Sequence, residues 1–323
     1  MSSPILILVL FALGFIFLIK GADFLVEGAS SLAKRLKISD IVIGLTIVAF
    51  GTSAPELVVN LIASLQGNTD IAIGNILGSN IANIFLILGI SAIISPLIIK
   101  RNTTWKEIPL SLLAAVLVGV MANDVFFDNS LSSALTRTDG IALLSFFIIF
   151  LYYTYGISKV NLEKEEAEKV KKLSVPFSIL MIIIGLIGLT LGGKWVVDGA
   201  ISIASAMGLS ESLIGLTVVA IGTSLPELAT SIVAAYKKKT DIAVGNIVGS
   251  NIFNAFWILG VSATINPLPF KTSSNIDILV AIFASFLLFL WMFIGRKHEL
   301  EKWQGIIFVL LYVGYIGFLV YQG

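Results

Sequence analysis

Two hexads, each ending in a carboxylate, carry the residues of this chain that could do chemistry. They are Gly51-Thr52-Ser53-Ala54-Pro55-Glu56 and Gly222-Thr223-Ser224-Leu225-Pro226-Glu227, and each lies inside a long apolar run. A carboxylate at bilayer depth is costly, so a glutamate there indicates a functional site. Proline lacks an N–H and clashes with the carbonyl four residues back, which predicts a broken helix near Gly51.

The residues around each glutamate offer only oxygen atoms. Thr52 and Ser53 precede Glu56 by four and three residues, so their hydroxyls and the carboxylate converge on one helix face. The break adds unpaired backbone carbonyls. Such an oxygen set suits hard cations such as Ca²⁺ or Na⁺, and irregular backbone at this depth must be buried or line a cavity. Each hexad therefore predicts half of a cation site.

A second motif follows each hexad, at residues 74–83 and 245–254. On a helix, Asn75, Ser79 and Asn83 form one polar stripe, and the neighbouring glycines form a small-residue face for close packing. The second and third polar positions are predicted to bind the cation or to support its ligands: Ser79, Asn83, Ser250 and Asn254. The remaining asparagines, Asn80 and Asn251, are interpreted with the glycines as helix-packing residues.

Composition determines the class of protein. The 323 residues are 57% hydrophobic and only 13% charged, whereas a soluble protein carries about a quarter charged residues. The chain is therefore predicted to be a polytopic membrane protein with the lipid bilayer as its surroundings. A net charge of +1 indicates no nucleic-acid partner, and the absence of cysteine excludes disulfides and thiolate metal sites.

Ten apolar runs are long enough to cross a bilayer, which takes about 20 residues. They are 4–33, 40–66, 70–98, 105–122, 139–157, 176–206, 210–236, 241–268, 275–294 and 303–321. Seventeen basic residues lie in the odd-to-even loops, against only Arg137 and Lys271 in the others. This bias predicts a protein of the cell membrane with a cytoplasmic 158–175 loop and both termini outside.

The chain also contains an internal repeat. A shift of 171 positions aligns residues 21–97 with 192–268 at about half identity. Each copy holds five spans, so the second copy must enter the membrane from the opposite side, as in secondary transporters. The predicted fold is all-α: ten transmembrane helices form two inverted five-helix repeats, 1–157 and 176–323, joined by the charged linker 158–175, with broken helices at the ion site.

The charge of the two glutamates favours exchange between ions. Two ionised carboxylates give the site a charge of −2, which one Ca²⁺ or two Na⁺ would neutralise. A third Na⁺ would leave a net positive charge and make the exchange electrogenic. An empty site would leave two unpaired carboxylates in a low dielectric, which disfavours crossing of the unloaded protein.

These motifs resemble the α-repeats of the cation/calcium exchanger superfamily, specifically the prokaryotic sodium/calcium exchangers, over nearly the whole chain. The resemblance implies a secondary active antiporter that exchanges Na⁺ for Ca²⁺ by alternating access, without a cofactor. It implies that the Ca²⁺ ligands are Glu56, Glu227, Thr52 and Thr223. It further implies that the Na⁺ sites use Ser53, Ser224, Ser79 and Ser250, with the carbonyls of Ala49 and Ala220.

Two departures bear on the choice of ions. Some archaeal and potassium-dependent relatives carry an aspartate where this chain has Asn254, and the loss of that carboxylate argues against K⁺ co-transport. Relatives that exchange Ca²⁺ for protons usually carry a glutamate after Gly-Asn, where this chain has Ile76 and Ile247. A Ca²⁺/H⁺ antiporter, or one for another divalent cation, remains the alternative.

Two other classes compete with an antiporter. An intramembrane hydrolase needs a nucleophile paired with a base, and the chain has no cysteine, no histidine in an apolar run and no Gly-x-Ser-x-Gly elbow, so no enzyme is predicted. A passive cation channel could use acidic residues for selectivity. Channels need symmetry along the membrane normal, however, whereas the predicted repeat is inverted. No obligate protein partner is evident.

Charged residues also occur in the first and sixth predicted spans. Lys20, Asp23 and Glu27 share one face of the first, and Lys194 and Asp198 share one face of the sixth. We interpret them as ion pairs within each helix. The repeat makes these two helices equivalent, and the resemblance implies that they slide across the rest of the bundle.

Overall fold

The computed structural model describes residues 4–158, 173–207 and 220–322, and it is almost entirely helical. The helices are α1 (Pro4–Leu36), α2 (Asp40–Thr52), α3 (Ala54–Leu65), α4 (69–94), α5 (Thr103–Met121), α6 (Asp124–Phe127), α7 (Arg137–Ser158), α8 (Val175–Ala206), α9 (Ala220–Gly222), α10 (Leu225–Tyr236), α11 (Thr240–Ile265), α12 (Asn275–Trp291) and α13 (Lys302–Gln322). Most of the predicted linker 158–175 lies outside these residues.

The number of membrane spans agrees with a polytopic protein. Eight of the described helices are long and apolar enough to cross a membrane: α1, α4, α5, α7, α8, α11, α12 and α13. The bent pair α2 and α3 brings the number to nine. The predicted span 210–236 lies partly outside the described residues. Its described part contains α9 and α10. The all-α membrane fold is confirmed, and the count of ten stays a prediction.

The helix broken by the first hexad bends where proline interrupts it. The chain turns by 46° between α2 and α3. Ser53 separates the two helices with ψ near 6°, and Pro55 is the second residue of α3. Without an N–H, Pro55 cannot bond to the carbonyl of Gly51, so the break follows that glycine by two residues. In the second hexad, Ser224 has the same backbone conformation before α10.

Two helices of the repeats, α4 and α11, form the centre of the bundle. In each, a π-helical segment interrupts the α-helix, at Ala82–Leu88 and at Phe253–Ile258. The two segments begin 171 residues apart, at equivalent positions of the repeat. π-Helical turns commonly mark functional sites. Gly245 and Gly249 lie so close to α2 that an added Cβ would come within 3 Å of its backbone.

The long helices α1 and α8 pack along each other in opposite directions. A Cβ at Gly21 would lie 2.8 Å from the carbonyl oxygen of Gly185, and one at Gly192 would lie 2.7 Å from that of Gly14. The two contacts are related by the 171-residue repeat, because Gly14 corresponds to Gly185 and Gly21 to Gly192. Only glycine permits this separation of the helix axes.

Ion pairs differ from those predicted within the first helix. Asp23 bonds to Lys237, which follows α10, and Glu27 lies 3.9 Å from the same ammonium. The predicted pairing of these acids with Lys20 is therefore wrong. Sequence spacing identifies only neighbours on the same helix, whereas the cation that pairs with these acids comes from a loop far along the chain. No ion pair joins Lys194 and Asp198 in the described part of the chain, so that pairing is wrong as well.

Short antiparallel strands tie the loops together at the ends of the bundle. Leu97–Ile98 pairs with Glu299–Leu300, and Ala134–Leu135 pairs with Leu268–Pro269. Residues 97–98 and 268–269 are equivalent in the repeat, so each copy contributes the same two residues to one strand pair. These contacts fix the ends of α4 and α11, the helices that carry the second motif.

Candidate ion-binding site

The two glutamates lie in the first turns of α3 and α10, directly after the breaks. Both side chains are completely buried, with no exposed surface. The N-terminus of a helix carries a partial positive charge from its free N–H groups, which favours a carboxylate there. The break before each proline therefore places Glu56 and Glu227 where the backbone offsets part of the cost of burying them.

Glu56 accepts hydrogen bonds from serines of both repeats. Ser79 of α4 donates to its Oε1 atom at 3.4 Å, and Ser224 of the second hexad donates to the same atom at 3.5 Å. The Ser224 hydroxyl also lies 3.1 Å from that of Ser79, so its single proton is shared between these two acceptors. All of these side chains are buried. The first carboxylate is therefore held by one residue from its own repeat and one from the other.

Glu227 has the same surroundings with the two repeats exchanged. Ser53 of the first hexad donates to its Oε1 atom at 2.9 Å, and Ser250 of α11 donates to that atom at 3.3 Å. Ser53 and Ser224 are equivalent in the repeat, as are Ser79 and Ser250. The structure thus brings both glutamates and all four predicted serines into one cluster.

The two threonines of the hexads cross between the repeats in the same way. Thr52 donates to Asn246 at 2.9 Å, and Thr223 donates to Asn75 at 3.2 Å. The Oγ1 atom of Thr52 also lies 3.4 Å from the carbonyl oxygen of Ala49, which is a longer contact. The predicted threonines therefore touch the asparagine that opens the other repeat's polar stripe.

Several buried oxygens at the site are left without a hydrogen-bond partner. They are Oε2 of Glu56, Oε2 of Glu227, Oδ1 of Asn83 and Oδ1 of Asn254. An unpaired buried oxygen costs free energy, and carboxylate and amide oxygens are ligands for hard cations. No lysine or arginine of the described residues forms an ion pair with either glutamate. The donor set fits a cation.

The remaining predicted residues lie at the edges of this cluster. The carbonyl of Ala49 accepts the N–H of Ser53 at 3.0 Å. Ala220 opens α9 beside residues that the structure does not describe. Asn83 and Asn254 are fully buried near the start of the two π-helical segments.

Sequence reasoning missed the residues that support the asparagines of the stripe. Asn60, one turn after Glu56, accepts a hydrogen bond from Asn75 at 3.0 Å, and Ser231, one turn after Glu227, accepts one from Asn246 at 3.0 Å. Both are buried. Their signal was a polar residue four positions beyond each glutamate, on the same helix face.

Fold and site together define a polytopic helical membrane protein with a buried site lined by two carboxyl groups and further oxygen atoms. The family model described as sodium/calcium exchanger protein matches residues 6–156 and 177–321. The chain belongs to the sodium/calcium exchanger family, as the α-repeat motifs predict. Proteins of this family are membrane transporters.

Relatives match the chain over nearly its whole length. An uncharacterized membrane protein of Methanocaldococcus jannaschii is 39% identical, with 94% of each chain covered. The sodium/calcium exchanger MaX1 of Methanosarcina acetivorans is 33% identical over 96% of this chain and 97% of its own. The solved structure of the sodium-calcium exchanger NCX_Mj superposes with a TM-score of 0.84 at 38% identity, covering 98% of this chain and 99% of that one.

Proposed function

We propose that this protein is a secondary active antiporter that exchanges Na⁺ for Ca²⁺ across the cell membrane, with Glu56 and Glu227 as shared ligands. The observation that carries the proposal is the pair of fully buried carboxylates with no basic partner among the described residues. Membership of the family and the likeness to NCX_Mj, a sodium-calcium exchanger, support the choice of ions.

The donor set supports competition between the two ions for one site. Ca²⁺ takes six to eight oxygen ligands at about 2.3–2.6 Å, and two carboxylates with threonine hydroxyls supply charge and oxygens for it. The serines Ser53, Ser224, Ser79 and Ser250, with the carbonyls of Ala49 and Ala220, are proposed for Na⁺. Among the described residues, no group of three or more acidic or histidine side chains forms a metal cluster. The charge of −2 then comes from two glutamates, so one Ca²⁺ or two Na⁺ neutralise it.

An asymmetry between the repeats supports alternating access. Helix α1 packs along α10 and is joined to its end by the ion pairs of Lys237 with Asp23 and Glu27. The equivalent contact would join α8 to α3, and the described residues show no comparable packing there. Gln66 occupies the place equivalent to Lys237. We infer that access to the site is closed at the end of α10. Sliding of α1 and α8 would exchange this arrangement, in which α1 packs on α10, for the equivalent one, in which α8 packs on α3.

The arrangement in the membrane follows from the same proposal. Two five-helix repeats, 1–157 and 176–323, would run in opposite directions, joined by the linker 158–175. The antiparallel packing of the equivalent helices α1 and α8 supports this inversion. The basic residues of the loops favour a cytoplasmic linker and termini outside. The end of α10 then lies at the cytoplasmic side, because Lys237 to Lys239 belong to a cytoplasmic loop.

Flux in proteoliposomes tests the function. Vesicles loaded with Na⁺ and diluted into Na⁺-free buffer should take up ⁴⁵Ca²⁺, and both Glu56→Gln and Glu227→Gln should abolish this uptake. Asp128→Asn, which removes an exposed carboxylate far along the chain from either hexad, should leave it unchanged. Uptake driven by a pH gradient without Na⁺ would favour the Ca²⁺/H⁺ alternative. Uptake that needs no counter-ion would indicate a channel.

A further inference from the structure

Four asparagines meet where the second motifs of the two repeats touch, at the centre of the bundle. The Nδ2 atom of Asn83 donates to Oδ1 of Asn251 at 2.8 Å, and Nδ2 of Asn254 donates to Oδ1 of Asn80 at 3.0 Å. The Nδ2 atom of Asn251 lies 3.4 Å from the backbone carbonyl oxygen of Asn80, and that of Asn80 lies 3.5 Å from the carbonyl oxygen of Asn251. All four are buried. We call this group the asparagine relay.

Backbone carbonyls set the direction of every hydrogen bond in the relay. A carbonyl oxygen can only accept, so the amide face of Asn251 that touches the carbonyl of Asn80 must be its NH₂ group. The opposite face of Asn251 is then its Oδ1 atom, which can only accept. Asn83 must therefore present its own NH₂ group to Asn251, and its Oδ1 atom is turned away.

The same constraints apply to the other pair, Asn80 and Asn254. The carbonyl of Asn251 accepts from Nδ2 of Asn80, so Oδ1 of Asn80 faces the NH₂ group of Asn254. The orientation of an asparagine amide is otherwise ambiguous, because its nitrogen and oxygen have nearly the same shape. Here a group that cannot be reversed, the peptide carbonyl, determines both orientations.

The consequence is that two buried amide oxygens are left without a protein partner. Oδ1 of Asn83 and Oδ1 of Asn254 have no partner among the described residues, although both side chains are fully buried. The NH₂ group of Asn254 also lies 3.3 Å from Ser79, which donates to Glu56. Ser79 thus links this amide to the carboxylate of Glu56.

We propose that Asn80 and Asn251 are positioning residues, which hold the amide oxygens of Asn254 and Asn83 toward the cation. This rests on the proposed function of the site. With the relay intact, the cation meets two further neutral oxygens without any change in the charge of −2. Without it, each amide is free to rotate and place its NH₂ group where its unpaired oxygen now lies, and a donor at that position would repel the cation.

A double-mutant cycle tests the relay, because a residue that acts only through another adds nothing once that other residue is removed. The measurement is the Ca²⁺ concentration for half-maximal Na⁺-driven ⁴⁵Ca²⁺ uptake in proteoliposomes. Asn83→Ala should raise it about tenfold and Asn251→Ala about fivefold, as expected for one net hydrogen bond. The double variant should stay within about twofold of Asn83→Ala alone, with the maximal rate unchanged.

The reciprocal cycle and a control keep the outcome clear. The cycle of Asn254→Ala and Asn80→Ala should behave in the same way. It replaces the first cycle if one of the first cycle's variants fails to fold. Asn123, whose amide donates to Asn275 at 2.7 Å outside the site, offers the matched control. Asn123→Ala should lower the thermal stability without changing the half-maximal concentration.

The results that would overturn the relay differ from those that would overturn the function. Effects of Asn83→Ala and Asn251→Ala that multiply to about fiftyfold would show that Asn251 acts independently. An unchanged half-maximal concentration in Asn251→Ala would likewise refute its positioning role. Either result with normal Na⁺-driven uptake in the unmodified protein refutes the relay alone, whereas absence of that uptake refutes the proposed function.

Discussion

The close contact between α1 and α8 predicts how the protein responds to a single methyl group. In Gly21→Ala, the new Cβ would lie 2.8 Å from both the carbonyl oxygen of Gly185 and the amide nitrogen of Leu189. Non-bonded atoms prefer about 3.5–4.0 Å, so the two helices would have to separate by at least about 0.7 Å. Both contacts are with backbone, which cannot turn aside as a side chain can.

The expected loss follows from two opposing contributions. Overpacking of this kind costs about 1–3 kcal/mol. Replacing a helical glycine by alanine stabilises the helix by about 0.5–1 kcal/mol. The net destabilisation of Gly21→Ala is therefore about 0–2.5 kcal/mol, which corresponds to a decrease in Tm of up to a few degrees at this chain length.

Thermal unfolding of the purified protein in detergent measures the effect. Gly192→Ala should lose a similar amount, because its Cβ would lie 2.7 Å from the carbonyl oxygen of Gly14 in the equivalent contact of the other repeat. Gly314→Ala is the control: none of the described atoms lies within 4 Å of its Cβ position, so Tm should stay unchanged or rise. If Gly21→Ala were as stable as Gly314→Ala, the two long helices would not pack as closely as described.

Further predictions concern an ion pair and a buried carboxylate. Lys237→Gln removes a partly exposed pair with Asp23, so stability should fall by less than about 1 kcal/mol. Amide hydrogen exchange at the end of α10 should nevertheless become faster, and unchanged exchange would show that the pair does not hold α1 there. Tyr153 donates to Glu107, a buried residue of α5. Tyr153→Phe should cost about 1–3 kcal/mol in thermal unfolding, because it leaves that carboxylate without this donor. Tyr152→Phe, at an exposed position of the same helix, should cost no stability. Equal losses in the two variants would show that the hydrogen bond from Tyr153 to Glu107 does not stabilise the protein.

The composition of the candidate ion site could be predicted from sequence because the residues repeat at a fixed offset. Apolar runs, proline and the position of each glutamate depend on local chemistry, so the broken helices and the carboxylates were found at Glu56 and Glu227. The repeat also predicted that Ser79 and Ser250 would join them. Whether these residues bind ions, and whether the repeats are inverted in the membrane, stay predictions.

Contacts between the repeats could not be predicted in the same way. Asn80 and Asn251 look like packing residues on their own helices, and their role follows from which carbonyl each amide meets on the other helix. Lys237 was interpreted only as a loop charge, because its acidic partners lie more than two hundred residues earlier in the chain. The π-helical segments also have no signal in hydrophobic periodicity, since each spans at most seven residues and most of them are buried.

Equilibrium binding of ⁴⁵Ca²⁺ to the purified protein tests most directly whether the two buried glutamates share one cation. The account predicts one Ca²⁺ per chain, displaced by Na⁺ in competition, and loss of that binding in Glu56→Gln and in Glu227→Gln alike. Two independent Ca²⁺ ions per chain, or one variant that binds Ca²⁺ as the unmodified protein does, would contradict a single site formed by both repeats.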